Sequence, residues 1–214
     1  MTESETYHKN TREQYEILGR FVEAFEMMVD EVRSTCSNLM GPNPFDDRLP
    51  IIVFHHGAMT AKPLFDMMRA MIAQLTAGDL IDDEERPVFA GVLAQVATEY
   101  EKLTSMRNNL LHGTWFVGYR SAEDPEAAEF YVRKQTATKQ GLGLLELPKT
   151  AKELDELRQR CELVRDHVGA LHDCIPYVGN GSTIVRRFKF ANEHWELRPY
   201  WQSSPSKRLR MKQP

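Results

Sequence analysis

The chain has 214 residues, 42% of them hydrophobic and 27% charged, with a formal net charge of -4. This is the composition of a globular protein, long enough for one core with appendages but cramped for two full domains. No apolar run approaches the roughly 18 residues that span a bilayer, and the polar start MTESETYHKN holds no signal-peptide core, so a cytoplasmic protein without a membrane partner is expected. Cys36, Cys161 and Cys174 are odd in number and lack C-x-x-C spacing, which argues against a disulfide framework or a cysteine zinc site. From Arg186 onward eight Lys/Arg oppose two Glu, so a segment of +6 follows a body of -10. Such a segment suits a polyanion or the acidic body itself.

Along the chain, Tyr15, Leu18, Val22, Phe25, Val29, Val32, Cys36 and Leu39 alternate spacings of three and four, the pattern of one face of a long helix. Thr11 and Gln14 form a capping-box pattern at its start, and Gly41-Pro42 closes it. A second, methionine-rich helix runs through Leu64, Met68, Met71 and Leu75, with Pro63 in its first turn and Gly78 past its end. The third opens with DDEERP, whose carboxylates suit the positive end of the helix dipole, and continues through Phe89, Leu93, Val96, Tyr100, Leu103 and Leu110 to Gly113. Then TWFVGYR, EFYVRKQT and LGLLEL, short and aromatic or β-branched, predict a small antiparallel sheet. Thr150 and Glu153 make a capping box for a fourth helix through Leu154, Leu157, Cys161, Val164, Val168, Leu171 and Ile175, which stops before Pro176.

These elements predict a mainly α fold: an antiparallel four-helix bundle with a small antiparallel β insertion between helices three and four. The bundle is expected over residues 1–178, with the insertion at about 114–147. Residues 179–214 form a basic C-terminal extension whose end, SSPSKRLRMKQP, is too polar to pack and is expected to be disordered.

On a wheel of 100° per residue, Arg107 falls in the same direction as Phe89, inside the apolar stripe of the third helix. A guanidinium there needs a carboxylate, a second subunit or a bound anion, because an uncompensated buried charge costs several kcal/mol. Asn108 and His112 are i, i+4 neighbours flanking the stripe. His112 lies in the last turn, where the dipole favours cations, and Gly113 fits a left-handed capping position. A cation, an amide and an imidazole thus gather at one helix end. Imidazole can take the proton of an RNA 2′-hydroxyl or protonate a leaving oxygen, while arginine neutralises charge on the transition state. A symmetric dimer would bring two such ends into one cleft.

The stretch RNNLLH, with Arg107, Asn108 and His112, resembles the R-x4-6-H motif of HEPN domains, helical bundles common in prokaryotic toxins and defence proteins. The HG-x-W continuation before a strand pair is similar to one branch of that superfamily, and the layout resembles it over roughly residues 11–178. The resemblance implies a metal-independent endoribonuclease of toxin–antitoxin or phage-defence type, leaving a 2′,3′-cyclic phosphate, with Arg107, Asn108 and His112 as catalytic residues in a homodimeric cleft. It implies RNA and an antitoxin protein as partners, no cofactor and no metal. The superfamily also contains inactive members, so the alternative is a catalytically silent HEPN-like module that binds RNA, a ligand or a protein.

Other residues compete less well. Arg48 with His55, Arg165 with His172 and Arg187 with His194 share the loose spacing, but none combines it with Asn108's position and a helix end. His55 and His56 are adjacent and point to different sides, and His167 and His172 lack a nucleophile at a strand-to-helix turn. Trp115 and Tyr119 share a face of the following strand, where they can stack an RNA base near His112 or pack onto the bundle. The segment IVRRFKFANEHWELRPYW interleaves basic and aromatic residues, as a nucleic-acid contact does and as a final strand packed on the core does equally.

Overall fold

The computed structural model describes residues 3–40, 54, 59–76, 81–116, 131–138, 141–145, 147, 150–175 and 183–198. The chain is mainly helical. In order come α1 (Glu3–Met40), α2 (Ala61–Thr76), α3 (Arg86–Leu111), β1 (Thr114–Phe116), β2 (Tyr131–Thr138), β3 (Gly141–Leu145), α4 (Ala151–Asp173), α5 (Ile184–Arg187), β4 (Phe188–Ala191) and β5 (His194–Leu197). No helix among the described residues is long and apolar enough to cross a membrane.

Two compact units divide the chain: residues 1–30 with 99–164, and residues 31–98 with 165–214. Each of α1, α3 and α4 contributes one segment to each unit.

In the first unit the buried residues of α1 are Phe21, Ala24, Phe25, Met28 and Val29, with Gln14 closing the row. Those of α3 are Tyr100, Leu103 and Leu110, and those of α4 are Leu154, Leu157, Cys161 and Val164. The α4 face is the one its three-and-four spacing predicts. The Thr150–Glu153 box forms as expected: the Thr150 N–H donates to Glu153 Oε2 at 2.9 Å, and the Glu153 N–H donates to Thr150 Oγ1 at 3.2 Å. β1, β2 and β3 make an antiparallel sheet in that order, with Trp115 opposite Val132 and Gln135 opposite Leu144.

The start of α1 differs from the expectation. Helix runs from Glu3, so Thr11 and Gln14 are interior rather than capping positions. Tyr15 is 56% exposed, and Phe21, outside the predicted stripe, is fully buried. A capping pattern competes only locally, whereas an established helix extends upstream at the small cost of adding residues one by one.

The second unit buries Val32 and Cys36 of α1, Leu64, Phe65, Met68 and Ile72 of α2, Phe89, Val92, Val96 and Ala97 of α3, Val168 and Leu171 of α4, and Cys174 just past it. Gly78 and the pair Gly41-Pro42 lie outside the described residues. After Thr183, the single turn α5 leads into the antiparallel β4–β5 hairpin, whose residues Asn192 and Glu193 both have positive φ (50° and 66°). Two consecutive left-handed residues are what a two-residue turn needs to match strand twist.

The hairpin is docked through Trp195. Its N–H donates to Gln95 Oε1 at 2.6 Å, and its carbonyl accepts from Gln95 Nε2 at 2.9 Å. The carboxamide thereby mimics a neighbouring strand. His167, 2% exposed, places Nε2 at 3.2 Å from the same carbonyl. The indole lies against Gly91, where a Cβ would stand 2.4 Å from Nε1. Of the two readings open for this basic-aromatic segment, packing is therefore realised for Trp195 and for the buried Phe188. The tail from 199 lies outside the described residues.

Candidate functional site

The last turns of α3 carry the RNNLLH stretch. Phe89, Val92, Val96, Ala97, Tyr100, Leu103 and Leu110 are buried, so on a wheel of about 100° per residue Arg107 falls in the direction of Phe89, inside the apolar stripe. The Arg107 side chain is nevertheless 28% exposed.

Its partner is a carboxylate. Nη2 donates to Glu26 Oε1 at 2.9 Å, and the Glu26 side chain is 45% exposed. The guanidinium carbon lies 5.5 Å from the centroid of the Phe25 ring, a cation–π distance. Nη1 makes a long contact of 3.4 Å with Asn108 Oδ1, and Nε is buried without a hydrogen-bond partner among the described residues. α1 thus supplies both a charge and a ring that hold the guanidinium, while part of its donor edge stays uncommitted.

The His112 N–H donates to the Asn108 carbonyl at 3.1 Å, so α-helical bonding continues to the histidine and keeps Asn108 and His112 one turn apart on one side. The Gly113 N–H closes a tighter turn onto the Leu110 carbonyl at 3.3 Å. The His112 side chain is exposed and makes no hydrogen bond, ion pair or ring contact with a described residue. Trp115 occupies the middle of β1, and Tyr119 lies outside the described residues.

Glu26 was not singled out by sequence reasoning. Its signal is faint: it follows Phe25 and sits one turn past Val22, on the edge of the stripe, where an acid is equally at home facing solvent.

The other Arg–His spacings do not converge. Arg165 pairs with Asp166 at 2.9 Å, whereas His172 lies beside Asp173 at 3.9 Å. Arg187 reaches Asp173 at 3.6 Å, and His194 faces Glu196 at 3.4 Å. Arg48, His55 and His56 lie outside the described residues. Among the described residues no group of three or more His, Cys, Asp or Glu side chains could hold a metal ion. Burial pushes the thiols of Cys36, Cys161 and Cys174 up to about 12, as expected for packing residues rather than nucleophiles.

No family model, curated protein or solved structure matches the chain.

Proposed function

We propose that the chain is a metal-independent endoribonuclease of the HEPN type, built on an antiparallel four-helix bundle and acting as a homodimer in a toxin–antitoxin or phage-defence role. The observation that carries this reading is the contrast within one helix end: Arg107 is held by Glu26 and Phe25, while the side chain of His112, on the same last turns, is exposed and makes no hydrogen bond, ion pair or ring contact with a described residue. Preorganised charge and an available imidazole at one helix end are groups that transesterification of RNA can use.

In the proposed reaction one His112 imidazole accepts the 2′-hydroxyl proton as that oxygen attacks phosphorus. The bond from phosphorus to the 5′-oxygen breaks, and the leaving oxygen takes a proton from the imidazolium of His112 in a second copy. The products are a 2′,3′-cyclic phosphate and a free 5′-hydroxyl. Arg107 contacts the non-bridging oxygens, and Asn108, whose carboxamide lies beside the guanidinium, orients phosphate or imidazole. Glu26 positions Arg107. Trp115, next to the helix end in sequence, is the residue proposed to stack a base, with Tyr119 after it. An antitoxin protein and a cytoplasmic site of action belong to the same proposal.

The test is cleavage of a single-stranded RNA in EDTA, with products analysed for a cyclic phosphate end. Wild-type chain is expected to cleave, and His112→Ala and Arg107→Ala to lose activity with unchanged circular dichroism. Cleavage by His112→Ala at the wild-type rate overturns the mechanism.

A second reading draws on a specific observation as well. Glu26 already satisfies the charge of Arg107 within one copy, as it would in a catalytically inactive bundle that only binds RNA or a partner. Absence of cleavage by pure wild-type protein, together with loss of folding in Arg107→Ala, favours that reading.

A further inference from the structure

Phe188, Phe190, Trp195 and Leu197 share one face of the β4–β5 hairpin, since Phe188 pairs with Leu197 and Phe190 with Trp195 in the register. At the Phe188–Leu197 end the face is covered, Phe188 being 1% exposed. At the other end Trp195 is fixed by Gln95, His167 and Gly91, but its cross-strand partner is not covered. Phe190 is 62% exposed, the most exposed large hydrophobic side chain among the described residues. Its ring meets the Trp195 ring at a centroid distance of 5.2 Å and an angle of 60°, so the half-buried indole props the phenyl ring edge-on.

The segment that carries the hairpin has a net positive charge. Arg186 is exposed and makes no ion pair among the described residues, whereas Lys189 is bonded to Glu196 at 2.7 Å on the opposite face. In sequence, RPYWQSSPSKRLRMKQP follows directly, with two more aromatics, five basic residues and no acid. An exposed ring on a rigid support, within a segment of eight Lys/Arg and two Glu, fits a polyanion whose units also offer flat rings. Paired bases hide those faces in a duplex, whereas unpaired bases present them.

We propose that the β4–β5 hairpin is a stacking platform for single-stranded RNA, with Phe190 taking a base and Arg186 a phosphate. The proposal rests on RNA being the substrate of the chain, and it requires no particular placement of the hairpin relative to Arg107. Trp195 gives the platform its rigidity, so little side-chain entropy is lost when a base docks.

The experiment is fluorescence anisotropy of a labelled 20-nucleotide 2′-O-methyl RNA strand titrated with full-length chain across a salt series. A 2′-O-methyl strand cannot form a cyclic phosphate, so binding is read without cleavage. Failure of the nuclease reading leaves this measurement standing, and failure of the platform leaves the cleavage assay standing. Phe190→Ala is expected to weaken binding by roughly 5- to 100-fold, with Phe190→Tyr restoring it and Phe190→Leu not. Arg186→Ala should lower the slope of log K against log salt by about 0.7, one phosphate contact on a single strand. Unchanged binding by Phe190→Ala, or equal binding by the Leu and Tyr variants, overturns the proposal. So does a chain with no affinity for the strand whose self-association, followed by sedimentation, disappears in Phe190→Ala: the ring would then be a protein contact.

Discussion

Removing either side of the Arg107–Glu26 pair separates a held guanidinium from one that merely touches an acid. At 2.9 Å, two unit charges in a water-like dielectric attract by about 1.4 kcal/mol. The side chains are 28% and 45% exposed, so a large part of that gain is offset by ordering two long side chains, leaving about 0.5–1 kcal/mol. Glu26→Ala is therefore expected to destabilise by that amount. Arg107→Ala additionally loses the contact with Phe25, worth about 0.5–1 kcal/mol, and should cost about 1–2 kcal/mol. The double variant should cost less than the sum, with a coupling of about 0.5–1 kcal/mol that shrinks in 1 M salt, where the screening length is only about 3 Å. Denaturant unfolding of the four proteins at two salt concentrations measures this. Additivity within about 0.3 kcal/mol would show that the pair does not form in solution. A cost above about 4 kcal/mol for Arg107→Ala alone would refute the partial exposure of this ion pair, because that is the scale of an orphaned buried charge.

Three further outcomes test other parts of the fold. Gly91→Ala should be net destabilising by about 1 kcal/mol, despite alanine's better helix propensity, because its Cβ would meet the Trp195 ring at 2.4 Å; Trp195→Phe, which removes the contacting atoms, should restore stability in denaturant unfolding. His172 has its pKa lowered by burial against a smaller opposing effect of Asp173, so its contribution is complete above the unfolded value of 6.5 and fades as pH falls from there towards the depressed folded value. Stability measured from pH 7.5 to 5 should drop less steeply in His172→Phe than in wild type, and equal slopes would discount the histidine. With thiols pushed up to about 12, only about one in ten thousand molecules carries a given thiolate at pH 8, so native protein should resist alkylation while denatured protein reacts at all three cysteines; mass spectrometry counts the adducts.

Much of the helical plan is legible in the residues themselves. The Thr150–Glu153 box and every predicted core position of α4 are realised, because capping and three-and-four spacing are properties of a single element. α1 was harder to read. Its amphipathic spacing identifies a helix, but Tyr15 and Phe21 exchange the exposures expected of them, since an apolar residue a few tens of degrees off the stripe is buried or bare according to what packs there.

The candidate site divides in the same way. The sequence by itself determined that Arg107, Asn108 and His112 share the end of one helix and that an arginine so placed needs a partner, because helix periodicity and the cost of burying charge are both local facts. Only the tertiary structure decided that the partner is Glu26, 81 residues away, and that the pair stands half in solvent. It likewise decided that Trp195 is gripped by Gln95, 100 residues distant, and that Phe190 overhangs the docked hairpin. Periodicity fixes the direction in which a side chain points, but what it meets there depends on how separate elements pack, and no spacing along one helix records that.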